Sequence, residues 1–208
     1  MTEYPTTAWQ LQSLSLCYPD ARLVEAIPLL RAASGVLPDA IARPLGVFAD
    51  QVETTPLIEL ASSYVATFDH RRKFSPYLTY FAYGDTRKRG MALLRFKHAY
   101  RAVGMELNDD ELPDHLAVVL EFAASGDAAA GRRLLLEHRA GLELMRLGLR
   151  ECDSPWANVL ESVTATLPPL NTHDHSTIAR LAAEGPPEEE VGLAPYGPPE
   201  YMPTGAAR

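Results

Sequence analysis

The sequence predicts an all-α protein, a single compact multi-helix bundle-like domain followed by a proline-rich extended tail. Three observations carry that reading. Leucine and alanine number 29 each, against 11 valines and 4 isoleucines, so strong helix formers far outnumber the β-branched residues that favour strands. Apolar residues recur at three- and four-residue spacing along most of the chain, the period of one helix face. Capping residues, prolines and glycines punctuate those stripes at distances suited to short loops. With 208 residues and 47% hydrophobic content, the chain buries a core without needing disulfides or metals.

The elements follow in order. Thr7 and Gln10 have capping-box spacing and lead into a short helix that Pro19 ends. Asp20 is an N-cap for a helix to about Ala33, with Pro28 as a kink and Gly35 as the stop. A further helix runs from Pro38 to about Val52. Thr55 caps the next, Pro56 stands at its first position, and Leu57, Leu60, Ala61, Tyr64 and Phe68 share one face. A loop from Asp69 to Pro76 reaches the aromatic run Tyr77 to Tyr83, which Gly84 and Asp85 interrupt. Asp85 opens a helix with Leu93, Phe96, Tyr100 and Val103 as its stripe and Gly104 as its end. Pro113 opens another, with Leu116, Val119, Leu120 and Ala123 inward. One long helix is expected from Asp127 to Glu151. Ser154 and Pro155 start the next, striped by Trp156, Val159, Leu160, Val163 and Leu167, and a last short helix spans Asp174 to Glu184. The helical domain therefore covers 1–184. Six prolines and the run Glu188 to Glu190 mark 185–208 as an extended or disordered tail.

Charge and chemistry narrow the function. A formal net charge of -8 disfavours nucleic acid, whose phosphates need clustered bases. Cys17 and Cys152 lack metal-site spacing and read as reduced thiols of a cytoplasmic protein. Neither a basic signal region nor a membrane-length apolar run is present in the sequence. Phosphate loops, dinucleotide fingerprints, nucleophile elbows and zinc-helix motifs are absent from it, so no catalytic residue, metal or cofactor is expected. His173 and His175 are read as solvated loop residues.

The charge is nevertheless uneven. Between Asp69 and Arg101 nine bases face only two acids, interleaved with Phe68, Phe74, Tyr77, Tyr80, Phe81 and Tyr83. A solvated helix face beside core aromatics accounts for this, and so does a peptide-docking surface, because aromatics and arginine are enriched at interface hot spots. Three functions stay open on the residues alone: a dedicated protein chaperone, a helical adaptor or regulator for another partner, or an enzyme using the basic segment on a nucleotide or cofactor.

Four stretches occur in a telling order: Tyr18-Pro19-Asp20-Ala21, then Tyr64 to Asp69 with Arg71-Arg72, then Gly84 to Ala92, then Glu111-Leu112-Pro113-Asp114-His115-Leu116. Together they resemble the nitrate reductase molybdenum cofactor assembly chaperones (NarJ-type), within the redox-enzyme maturation (TorD-like) family, over roughly Leu14 to Ala183. The resemblance implies an all-helical, non-catalytic cytoplasmic protein. It implies a partner, the N-terminal segment of the catalytic (alpha) subunit of respiratory nitrate reductase, held competent for cofactor insertion before membrane assembly. It also implies leader-peptide binding at Asp114 and His115 and matches Tyr64, Phe68 and Asp69 to a family signature; with Arg71, Arg72, Tyr77 and Tyr80 added on their chemistry, these make the expected peptide-binding set. In that set Tyr64, Phe68, Tyr77 and Tyr80 would supply an apolar groove, and Arg71, Arg72, Asp114 and His115 a polar rim. The alternative for Tyr64 and Phe68 is plain core. Asp114 and His115, at a loop or helix start, are not expected to hold the core. Phe74 and Pro76 depart from the family pattern.

Overall fold

The computed structural model describes residues 4–69, 74–107 and 111–187. Among them the regular structure is helical: α1 (Tyr4–Leu16), α2 (Ala21–Ser34), α3 (Asp39–Thr54), α4 (Leu57–Phe68), α5 (Tyr80–Tyr83), α6 (Arg87–Ala102), α7 (Leu116–Ser125), α8 (Ala128–Glu137), α9 (Arg139–Glu151), α10 (Trp156–Ala165) and α11 (Thr172–Glu184). The one β-type pairing among these residues is a single antiparallel bridge between Tyr77 and His115.

Local chemistry sets the helix starts. Asp20 accepts from the backbone N–H groups of Arg22 and Leu23, satisfying donors that the first turn of α2 leaves open. Asp127 does the same for α8 through Ala130. Asn171 and Asp174 form a reciprocal capping box at α11.

α1 is the central strut, packed on α7, α10 and α2. α10 also packs on α3 and α9, while α8 covers α7 and α11 lies on α9. The α1–α10–α3 contact carries a polar tie: Gln12 Nε2 donates to Ser162 Oγ at 2.8 Å, and Ser162 Oγ donates to the Ile41 carbonyl at 3.0 Å. Buried donors find partners this way, while Gln12 Oε1 has no hydrogen-bond donor among the described residues. Ser13 Oγ ties α1 to the Ala117 carbonyl of α7 at 2.8 Å. α7 and α8 approach so closely at Gly131 that a Cβ there would sit 2.4 Å from the Ala123 methyl.

Several expected boundaries move. Thr7 lies inside α1, not at its cap, because the helix already begins at Tyr4. Pro56, not Thr55, takes the cap position of α4, and Leu57 is an exposed end of its stripe. Thr86 precedes α6, Val103 leaves the stripe for solvent at its C-terminal end, and Ala92 rather than Leu93 is the buried residue at the start of the stripe. Pro113 lies in the turn before α7, which His115 caps. The long helix expected from Asp127 to Glu151 breaks at His138 (φ -108°, ψ 20°). The break lets Leu134 and Leu135 face α7 while Leu142, Met145 and Leu149 turn into the core on the other side. His173 and His175 belong to the first turn of α11, not to a loop. Of the expected tail, 188–208 lies outside the described residues.

Candidate functional site

The last turn of α4 places Tyr64 and Phe68 in the core. Both are buried, their rings 4.7 Å apart and packed on Trp156 of α10 at 5.2 and 5.5 Å. Tyr64 Oη donates to the Leu16 carbonyl at the end of α1 (2.9 Å). Burial pushes that phenol's pKa up, with smaller contributions from Cys17, Asp69, Glu111 and Tyr77. Tyr18 meets the Tyr64 ring edge-on at 5.6 Å and stays 55% exposed.

The segment after α4 is held to the start of α7 by the Tyr77–His115 bridge. Leu78 N–H donates to the Asp114 carbonyl at 3.0 Å and Leu116 N–H to the Pro76 carbonyl at 2.9 Å. Behind the bridge lies a buried polar knot. Asp114, 0% exposed, accepts from both the backbone N–H and the hydroxyl of Thr79. Arg89 donates from Nε to Thr79 Oγ1 at 3.1 Å, reaches Asp114 at 3.7 Å and Asp85 at 3.4 Å, and lies over the Tyr77 ring. The Tyr100 hydroxyl donates to the Pro113 carbonyl beside it.

On the outer side of the bridge Tyr77 Oη donates to Glu111 Oε1 (3.1 Å), and the other Glu111 oxygen lies 4.0 Å from His115 Nε2. Burial first, then the Glu111 carboxylate, push the Tyr77 phenol up to about 12, so it remains a donor across the physiological range. His115 itself is buried and accepts from Ala117 N–H through Nδ1 as the α7 cap.

That cap requires a neutral ring, which makes it pH-sensitive. Burial lowers the His115 pKa against the opposing pull of Glu111 and Asp114. Burial likewise lowers that of His138, which packs on Phe96. Between those lowered values and the unfolded value near about 6.5, the unfolded chain holds more protons than the folded one. Stability is therefore complete above the unfolded value and lost as the pH falls below it. Urea midpoints should drop between pH 7.5 and pH 5.5. The double variant His115→Asn, His138→Gln should flatten that slope, asparagine keeping a cap acceptor without titrating.

The expected site residues thus divide. Tyr64, Phe68, Tyr80, Asp114 and His115 are buried, Tyr77 is half-buried, and Asp69 is exposed. Arg71 and Arg72 lie outside the described residues. Asp114 and His115 do hold the core, contrary to expectation, because the Tyr77–His115 pairing draws the turn before α7 inward. Sequence reasoning missed Thr79, Arg89 as a buried partner, and Glu111 as the carboxylate between Tyr77 and His115. The spacing of Glu111 from His115, four residues, was the available signal. Tyr80 faces elsewhere: with Phe81, Leu144, Leu147, Gly148 and Leu181 it lines an apolar cleft of about 570 Å³ between α5, α9 and α11. Among the described residues no group of three or more His, Cys, Asp or Glu side chains is arranged to hold a metal, and no helix is long and apolar enough to cross a membrane.

Beside the bridge, Tyr77 is half-buried against Glu111 with Leu112 exposed next to it in sequence, and Tyr18 is exposed against Tyr64. An aromatic face beside carboxylates suits an amphipathic segment carrying basic residues.

Comparison with known proteins places this geometry in context. A family model described as nitrate reductase delta subunit matches residues 34–161. The chain is 38% identical over 159 residues to the nitrate reductase-like protein NarX of Mycobacterium tuberculosis, covering 76% of this chain and 24% of NarX. It is 32% identical over 158 residues to the nitrate reductase molybdenum cofactor assembly chaperone NarJ of Escherichia coli, covering 76% of this chain and 62% of NarJ. The chain thus spans less than two thirds of the length of these relatives. A crystal structure of a redox enzyme maturation protein from Archaeoglobus fulgidus shares the fold, with a TM-score of 0.54 at 22% identity over 85% of this chain and 93% of that one.

Proposed function

This chain belongs to the nitrate reductase delta subunit family, and on that premise we propose that it is a non-catalytic cytoplasmic assembly chaperone. It binds the N-terminal segment of the apo catalytic subunit of respiratory nitrate reductase and keeps that subunit open to molybdenum cofactor insertion before membrane assembly. The observation that supports this reading is the bridge between Tyr77 and His115, which leaves Tyr77 half-buried and hydrogen-bonded to Glu111 within the family-like stretch Glu111 to Leu116. The name of the Escherichia coli relative, an assembly chaperone for that cofactor, supports it.

In this reading the segment docks as an amphipathic helix across Tyr18, Tyr77 and Leu112, its basic residues meeting Asp69 and Glu111. Tyr64, Phe68, Asp114 and His115 are positioning residues beneath the face, Tyr80 lies apart on the cleft between α5, α9 and α11, and Arg71 and Arg72 flank it in sequence. Burying a few hundred square ångströms of apolar surface contributes at about 25 cal/mol per Å², and ordering the segment offsets much of it. Calorimetry with a synthetic peptide of that N-terminal segment should show binding with a negative heat-capacity change. Tyr77→Ala and Glu111→Gln should each weaken it by about tenfold, the effect of about 1.4 kcal/mol, at unchanged helicity. Equal affinity in both variants would move the site elsewhere while leaving the chaperone reading intact.

A further inference from the structure

α6 carries six bases, Arg87, Lys88, Arg89, Arg95, Lys97 and Arg101, and no acid. Arg89 is committed inward to Asp114 and Asp85, and Arg87 is engaged within the protein. Ala92, Phe96 and Tyr100 take the core side. On the opposite side Lys88, Met91, Leu94, Arg95, His98 and Arg101 are all exposed, and their three- and four-residue spacing keeps them on one flank. Met91 is 68% and Leu94 44% exposed. Two apolar side chains this open, one turn apart among cations, make a patch, unlike the single exposed residues that any surface shows.

α8 widens the flank. Arg95 reaches Glu137 at 3.0 Å while its side chain stays 62% exposed. Arg133, also exposed, stands four residues before Glu137, one turn back on the same side of α8. Glu106 lines a small cleft with Lys97 and Arg101 at the far end. Lys88, Arg95, Lys97, Arg101 and Arg133 thus outnumber Glu106 and Glu137, and they surround Met91 and Leu94. The formal net charge of -8 is carried elsewhere on the chain. Physiological salt screens exposed charges beyond about 8 Å, so the flank acts through its own local charge.

We propose that this flank docks on an anionic lipid surface. Charge complementarity selects the occupant: a leaflet of acidic phospholipids presents negative phosphates in a plane with acyl chains beneath, which matches cations around two protruding apolar side chains. A protein segment is disfavoured, because the flank is the convex side of a helix and an amphipathic helix docks in a groove. A second copy is disfavoured, because bases would face bases. Each cation near such a leaflet raises binding by about fivefold, so the contact is reversible and salt-sensitive. The flank lies on the opposite side of α6 from Arg89, which covers Tyr77, so docking leaves the Tyr77 and Glu111 contacts untouched and stands apart from segment binding.

The test uses the full chain and vesicles. Vesicles of phosphatidylglycerol and phosphatidylcholine in equal parts should retain the protein on sedimentation, and vesicles of phosphatidylcholine alone should not. Lys88→Gln with Arg101→Gln should lower the partition coefficient by about twenty-five-fold, two cations at about fivefold each. Met91→Ser with Leu94→Ser should lower it by about tenfold through lost apolar burial. All four positions are exposed, and unchanged helical circular dichroism verifies the fold of each variant. Arg43→Gln, an exposed base on α3, should partition as the wild type does. Absence of retention on the anionic vesicles would overturn the proposal, as would equal retention of either double variant and the wild type. With a benzophenone side chain at position 91, illuminated cells should yield lipid adducts of the chain. Adducts to protein alone would assign the flank to an acidic protein partner and overturn the lipid reading.

Discussion

Asp114→Ala is expected to lower the stability of the protein by about 3–5 kcal/mol, the range for removing one partner from a buried charge pair. The carboxylate is fully buried, accepts two hydrogen bonds from Thr79 and faces Arg89. Its removal leaves the Thr79 N–H without a buried acceptor and the Arg89 guanidinium without its buried counter-charge. Against a typical total of about 5–15 kcal/mol, the loss populates unfolded chain at ordinary temperature. Asp114→Asn should fall between, because an amide oxygen still accepts from Thr79 but does not balance the charge. Urea midpoints read both. An unchanged midpoint for alanine would show that the knot contributes nothing. A loss of peptide binding in Asp114→Ala consequently reports lost fold before it reports a lost contact.

Trp156→Ala should cost about 3–5 kcal/mol as well, by a different route. The ring is fully buried and touches Phe48 of α3 along with Tyr64 and Phe68 of α4. Its removal opens a cavity where α3, α4 and α10 meet, and those side chains belong to three helices that collapse together only partly. The thermal midpoint should fall steeply while the helical circular dichroism of the cold protein stays near normal. A small shift would mean that α4 closes onto α10 and refills the space.

The parts of the fold legible in the sequence were those where one helix buries one clean stripe. Leu116, Val119, Leu120 and Ala123, and Trp156, Val159, Leu160, Val163 and Leu167, are all buried as their spacing requires. The break at His138 was not legible. Neither proline nor glycine stands there, and the chain bends because Leu135 and Leu142 serve different neighbours, a tertiary demand that local propensity does not encode. The candidate site residues lie deeper than their sequence suggests. Asp114 carries a formal charge in a turn, which from sequence means surface; its burial depends on Thr79 and Arg89, 35 and 25 residues earlier, arriving through the Tyr77–His115 bridge. Tyr64 and Phe68 show the converse, since a groove wall and a core stripe have the same spacing and only packing tells them apart.

The central claim, that this chain prepares the catalytic subunit of nitrate reductase for its cofactor, is tested most directly by the molybdenum content of that subunit. The subunit would be purified from cells making it with the wild-type chain, without the chain, and with the folded Tyr77→Ala, Glu111→Gln double variant. Molybdenum per catalytic subunit should be near full with the wild type, fall by about tenfold without the chain, and lie low with the double variant, in line with the weakened segment binding. Full molybdenum occupancy in the absence of the chain would contradict the account.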